Sequence, residues 1–326
     1  MNENFFYIEL KSPSEYDYIN GRVKILETYL FTKDAIQHLT NLSSDEFMNE
    51  LLSSHYKEYI AGNGIVDATK GISDFYNKML LEMEKFVSKG FVNSFFRSKE
   101  IFLRLKKIAI EGKALDRRES EIENLIKDSS GDKRVRIFND AYKKLVENKN
   151  DPLKTNLIIN VYYIQFLLLS SLETKSDFIK GYYNVYASLN AELVLRRYVN
   201  LIKQNMIDNS FFNSALFIMK EVFQGSVFFA KILSVKNLEA FEEFLRSEEM
   251  YYGLNETFYT QPDVFVRKRL ESYLDNGKFI TVGVEPVFTY LSKLYFESEL
   301  LKKILYAKDN MFESQEILKF LGFNYE

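Results

Sequence analysis

Histidine, cysteine and paired carboxylates are the side chains that most often carry protein chemistry, and this chain of 326 residues uses them sparingly. Its two histidines, His38 and His55, stand 17 residues apart. Two metal ligands on one helix need a one-turn separation, so each histidine reads as a structural or surface residue. The absence of cysteine removes disulfides, zinc thiolates and thiol catalysis. Glu239, Glu242 and Glu243 cluster, as do Glu248 and Glu249, but as a solvated helix face would; no spacing singles out a general acid and base. Gly62-Asn63-Gly64-Ile65-Val66-Asp67 has two glycines of a nucleotide loop without the third, and no Gly-Lys-Ser/Thr follows, so it reads as a connection between helices. Aromatic and basic residues interleave from Phe91 to Arg104, through Phe95, Phe96 and Arg97, a pattern that suits base stacking. The net charge of −3 argues against nucleic acid and favours core aromatics with a charged flank. The expectation is therefore a chain with no catalytic residue, no cofactor and no metal.

The elements that would position any site are helices. Apolar residues recur at three and four, as in Val23, Leu26 and Leu30, or Ile101, Leu105 and Ile108. Only 13 glycines and four prolines punctuate the chain, and Pro13, Pro152, Pro262 and Pro286 all sit where a helix can begin. The expected class is all-α. Aromatic side chains are abundant, 29 Phe and 22 Tyr with no Trp, so the interior should be filled with rings. The run from Thr155 to Leu172 carries no charge, yet Asn156, Asn160, Gln165, Ser170 and Ser171 interrupt it, which marks a buried bundle helix rather than a membrane span. The first residues lack the basic start of a secretory signal. Asn20-Gly21 lies inside a helical pattern, whereas Asn276-Gly277 precedes Phe279 to Val282, expected as a short extended piece.

Basic pairs recur in apolar helical context at Lys106-Lys107, Arg196-Arg197 and Lys302-Lys303. A second series, Phe47 to Tyr59, Phe138 to Leu145 and Phe241 to Leu245, steps along at similar intervals. Three units of ~100 residues would account for the length, with boundaries giving 1–112, 113–212 and 213–326. The charge-dense stretch Glu111 to Arg136 is the expected first boundary, and residues 97–144 lean basic. The six paired residues are candidates for one partner-binding rim; solvated surface charge is the plainer reading of the same residues.

The C-terminal stretch from Gly283 to Tyr325 reads as a loop running into a long helix, with a short closing helix around Gln315 to Leu321. Pro286 suits the first turn, and Glu285 places a carboxylate at the positive end of the helix. Val287, Tyr290, Leu291, Leu294, Leu301, Ile304 and Leu305 share one face. Glu297 lies among these core positions, so it needs a partner, and a basic residue of the same unit is the expected one.

The motif Gly283-x-Glu285-Pro286-Val287-x-x-Tyr290-Leu291, then Glu297, then Leu301-Lys302-x-Ile304 and Lys308, resembles the C-terminal pattern of one family of V-type/archaeal-type rotary ATPase subunits. It is the C-type subunit family, d-type in eukaryotes. Tyr18 to Leu30 and Phe47 to Tyr59 resemble that family's first helices. Leu294 and Tyr295 stand where its members commonly carry a Lys-Glu pair. The resemblance implies three related helical units around a tapering, funnel-like central opening. It implies a non-catalytic central-stalk subunit on the cytoplasmic face of the membrane. Its partners would be the central-shaft subunits and the proteolipid ring, and it would couple rotation to proton or sodium transport, held to the membrane through protein contacts. The alternative is a stand-alone helical adaptor with soluble protein partners, which would show a repeat nearer 35–45 residues.

Overall fold

The computed structural model describes residues 5–62, 64–112, 117–127, 131–223, 234–244 and 261–323. Glu248, Glu249, Leu245, Asp116, Ser129 and Tyr325 lie outside these described residues. The described regular structure is helical throughout, without a strand. In chain order the α-helices are α1 (Asp17–Glu27), α2 (Lys33–Asn41), α3 (Ser44–Ser53), α4 (Ile65–Met83), α5 (Lys89–Phe95), α6 (Ser98–Glu111) and α7 (Arg117–Ile126). They continue as α8 (Lys133–Glu147), α9 (Pro152–Glu173), α10 (Asp177–Lys203) and α11 (Asn209–Val222). The last three, beyond residue 261, are α12 (Pro262–Asp275), α13 (Glu285–Asp309) and α14 (Ser314–Phe320).

Helix starts follow local chemistry. All four prolines fall at the first turn of a helix, Pro13 opening a 3₁₀ turn and the others opening α9, α12 and α13. Side-chain oxygens of Thr32, Ser43, Ser88, Asp132, Asp151, Ser176 and Asp208 accept from the free N–H groups of the helices that follow them. Asn276 to Phe279 forms a 3₁₀ turn, so Phe279, the first residue of the expected extended piece, belongs to the turn, while Ile280 takes extended dihedrals. Gly62 and Gly64 lie between a 3₁₀ turn (Lys57–Tyr59) and α4, and Asn63 lies outside the described residues.

Contacts divide the chain into two compact units, each built from segments far apart in sequence. A middle unit comprises Met1–Glu9 and Ser88–Glu256, and a terminal unit comprises Leu10–Val87 and Thr257–Glu326. The two internal boundaries expected from the sequence, after 112 and after 212, both fall inside the middle unit. The charge-dense stretch after Glu111 holds α7, which packs on α6 and α8 and buries Ile122 and Leu125.

In the middle unit α9 packs against α5, α6, α8, α10 and α11. It is long and apolar enough to cross a membrane by length and composition, but most of that apolar window is buried by its helical neighbours. A helix surrounded on every side needs no polar face, which is why its sequence shows none. The N-terminal residues thread into the same unit. Phe6 is 2% exposed and sets its ring edge-on against Phe138 and Phe166, at 5.9 and 4.7 Å between centroids. Its carbonyl accepts from Arg134 Nη1 at 2.7 Å, and the Phe5 carbonyl accepts from Asn93 Nδ2 at 3.0 Å. Gly90 permits this approach, since a Cβ there would collide with the backbone of Tyr7.

In the terminal unit the axis is α13, packed on α1, α2, α3, α4 and α12. All seven residues expected on its inner face are buried, and so are Phe288, Thr289, Ser292 and Ser298, because neighbours surround it. Each large aliphatic or aromatic side chain buried there contributes about 1.5–3 kcal/mol. The turn before α13 is fixed by Asn20 of α1, whose Nδ2 donates to the carbonyls of Thr281 and Gly283 at 3.3 and 3.1 Å. Gly283 has φ +79°, a left-handed conformation that favours glycine. At the far end, Lys308 Nζ donates to the carbonyls of Thr40 and Leu42, which close the C-terminus of α2.

Candidate functional site

Chemistry in the terminal unit gathers around Glu297. This carboxylate is 5% exposed. Oε1 accepts from the Tyr56 hydroxyl at 2.7 Å, Oε2 accepts from the Phe31 backbone N–H at 2.6 Å, and His55 Nε2 stands 3.5 Å from Oε1. A buried charge is tolerated when donors surround it, and here one hydroxyl and one amide do most of that. The expected basic partner is thus present only as His55, beside a phenol and a main-chain donor. His55 packs among Phe31, Tyr56 and Phe75, with ring centroids 6.0, 4.2 and 4.8 Å away. Burial first, then the Glu297 charge, holds the Tyr56 phenol well above its usual value, and the same two causes raise Tyr290.

Beside Glu297 opens a groove of about 640 Å³, a volume suited to a small ligand. Three stretches wall it: Glu27 to Ile36, the α12 residues from Arg267 to Asp275, and Lys293 to Leu300 of α13, with Phe323 at one edge. Arg267 is buried and held, donating to Glu271 at 3.0 Å and to the Leu321 carbonyl. Burial raises the Glu271 carboxyl against the lowering influence of Arg267. Lys293 pairs with Asp275 at 3.5 Å, and Glu27 pairs with Lys24 at 2.9 Å. Lys33 and Lys268 differ: neither makes an ion pair or hydrogen bond among the described residues. Lys268 is pushed below the usual lysine value by burial, then by the charges of Arg267 and Lys33.

The basic pairs sit on three helices, with different partners. Lys106 Nζ donates to Asn156 Oδ1 at 2.6 Å, and Lys107 reaches the buried Glu119 at 2.9 Å. Arg196 grips Glu192 one turn earlier at 2.6 Å, while Arg197 is exposed. Lys302 lies 3.3 Å from Glu299, and Lys303 lies 5.9 Å from the ring centroid of Phe320. The first two pairs belong to the middle unit and the third to the terminal unit. Glu285 and Pro286 open α13, and Tyr290 is buried at its core. His38 is exposed. Phe95 is a core ring stacked on Tyr183 at 5.1 Å, and Arg97 donates to Asn93 one turn back. Among the described residues no group of three or more acidic, histidine or cysteine side chains is arranged to hold a metal ion.

Sequence reasoning reached Glu297 and His55 but not Tyr56, Lys33 or Lys268. Glu297 stood out as a carboxylate on a core face. The other three are ordinary residues in their own stretches of chain, and only folding brings them together. No protein-family model matches the chain, and no curated protein matches it.

Proposed function

We propose that this chain is a non-catalytic central-stalk subunit of a V-type rotary ATPase, coupling the central shaft of the soluble sector to the membrane proteolipid ring during proton or sodium transport. One observation supports the reading most. Two of the three stretches that resemble the C/d-type family, Tyr18 to Leu30 and Gly283 to Lys308, pack on each other, and the third, Phe47 to Tyr59, lies in the same compact unit. Asn20 ties them at the Gly-x-Glu-Pro turn, and the Phe31 amide, next after the first stretch, ties them again through Glu297. The positions that carry the resemblance are therefore the positions that hold the unit together.

A protein in this role must transmit torque without yielding, and close-packed interiors have low compressibility. The middle unit has two such cores, and Phe47, Tyr56, Phe288 and Tyr290 are buried in the terminal unit. A helical shell around a tapering opening, a place on the cytoplasmic face of the membrane and contact through the paired basic residues belong to the same proposal. The test is a tagged pull-down from detergent-solubilised native membranes with partners identified by mass spectrometry. Recovery of proteolipid-ring and central-shaft subunits is expected, with recovery falling and its salt dependence changing when Lys302 and Lys303 are both reversed to Glu. A set of purely soluble partners without ATPase subunits overturns the reading in favour of a helical adaptor.

A further inference from the structure

We propose that the groove beside Glu297 binds a small organic anion, an oxyanion head carried on an apolar body, with Lys33 and Lys268 holding the head. This site does not depend on the coupling role. The groove's lining carries four basic and four acidic side chains, but not all of them are paired within the protein. Glu27, Glu271, Asp275 and Glu297 each have an internal partner: Lys24, Arg267, Lys293, and the Tyr56 hydroxyl with the Phe31 amide. Glu297 keeps its charge, held by neutral donors, so beyond the paired groups the groove is left with that buried carboxylate and with the two lysines, which have no hydrogen-bond or ion-pair partner among the described residues.

The rest of the lining supplies the body's contacts. Phe31, Phe296, Leu300 and Phe323 offer half-buried or buried apolar surface to the same cavity. Apolar faces beside converging polar groups are what a small-molecule site needs, although here charged side chains outnumber the apolar ones. Lys268 is also constrained: Gly322 leaves room for its stem, with Cε at ordinary contact distance from where a Cβ would stand. The charges of Arg267 and Lys33 oppose that of Lys268, with Glu271 acting the other way, and a bound oxyanion would relieve the opposition. Arg267 has little left to give, because its guanidinium is already engaged by Glu271 and the Leu321 carbonyl.

The experiment is calorimetric titration of the full chain with phenyl phosphate and with benzoate, alongside phenol as the uncharged body. Saturable binding of at least one of the two anions is expected, with phenol weaker. Lys33→Gln and Lys268→Gln alter exposed residues and should leave thermal unfolding unchanged, yet each should weaken binding by roughly tenfold or more. Lys143→Gln, on an exposed lysine of the middle unit, should bind as the parent does. Absence of saturable binding by both anions overturns the proposal. So does binding that persists unchanged in the Lys33→Gln, Lys268→Gln double variant.

Discussion

The Tyr56 hydroxyl donates to Glu297 Oε1 at 2.7 Å, joining the connection after α3 to the middle of α13 across most of the chain's length. Both groups are buried, so neither can turn to water if the other is removed. Glu297→Ala leaves the phenol and the Phe31 amide without an acceptor, at about 1–3 kcal/mol for each unsatisfied group. Tyr56→Phe removes one donor from a carboxylate that keeps another, and should cost less. Denaturant unfolding of both single variants and the double variant measures the coupling. The double variant should lose less than the two single losses added together. A loss equal to that sum would show that the two residues act independently.

Alkaline pH should find the same weakness. Tyr56 and Tyr290 are held above the ordinary tyrosine value, and Tyr162, Tyr198 and Tyr295 are pushed up to about 12, all chiefly by burial. The folded chain thus favours the neutral phenol. This stability is fully present below the unfolded value of 10.0 and is lost as pH rises through the folded values. Denaturation midpoints should change little on the neutral side of about pH 10 and fall steeply above it, together with a rise in phenolate absorbance. Midpoints that hold level through that range would show that ionisation of these rings does not cost the fold its stability.

Two glycines should respond in opposite directions. Gly90→Ala forces a methyl into the backbone of Tyr7 and should destabilise by about 1–3 kcal/mol, displacing Phe6 from its ring cluster. Gly21 lies inside α1 with nothing within 4 Å of an added Cβ. Gly21→Ala should stabilise by about 0.5–1 kcal/mol. Thermal unfolding of the two variants checks both signs.

Within the basic pair on α10, position decides the effect. Arg196→Gln strips this ion pair from Glu192, whose side chain is 11% exposed, and a poorly solvated carboxylate that loses a charged hydrogen-bond donor costs about 1–3 kcal/mol. Arg197→Gln changes an exposed residue with no ion pair or hydrogen bond among the described residues and should stay within about 0.5 kcal/mol. Chemical denaturation distinguishes them. If the proposed coupling role holds, Arg197 is the member free to meet a partner.

Much of the local structure was legible because local rules write it. The four prolines mark helix starts since a missing N–H costs nothing there. The uncharged run of α9 reads as a core helix from its scattered Asn, Gln and Ser, and five helices surround it. The Asn276-Gly277 dipeptide favours a turn without saying which; it makes a 3₁₀ turn packed on α12 that takes in Phe279, and Ile280 beyond it is extended. The unit boundaries were sought along the sequence, whereas each compact unit takes its segments from both sides of the other. No composition shift records that.

Helicity, the ring-rich interior, the absence of disulfide chemistry and a glutamate in need of partners were determined by the sequence alone, because propensity, periodicity and composition act over a few residues. The partners themselves were decided only by the tertiary structure. Glu297 meets Tyr56 and Phe31, and Lys33 shares a groove with Lys268, because α13 packs against both the first helices of the chain and α12. Burial turns ordinary side chains into a site by removing the water that would otherwise answer their charges.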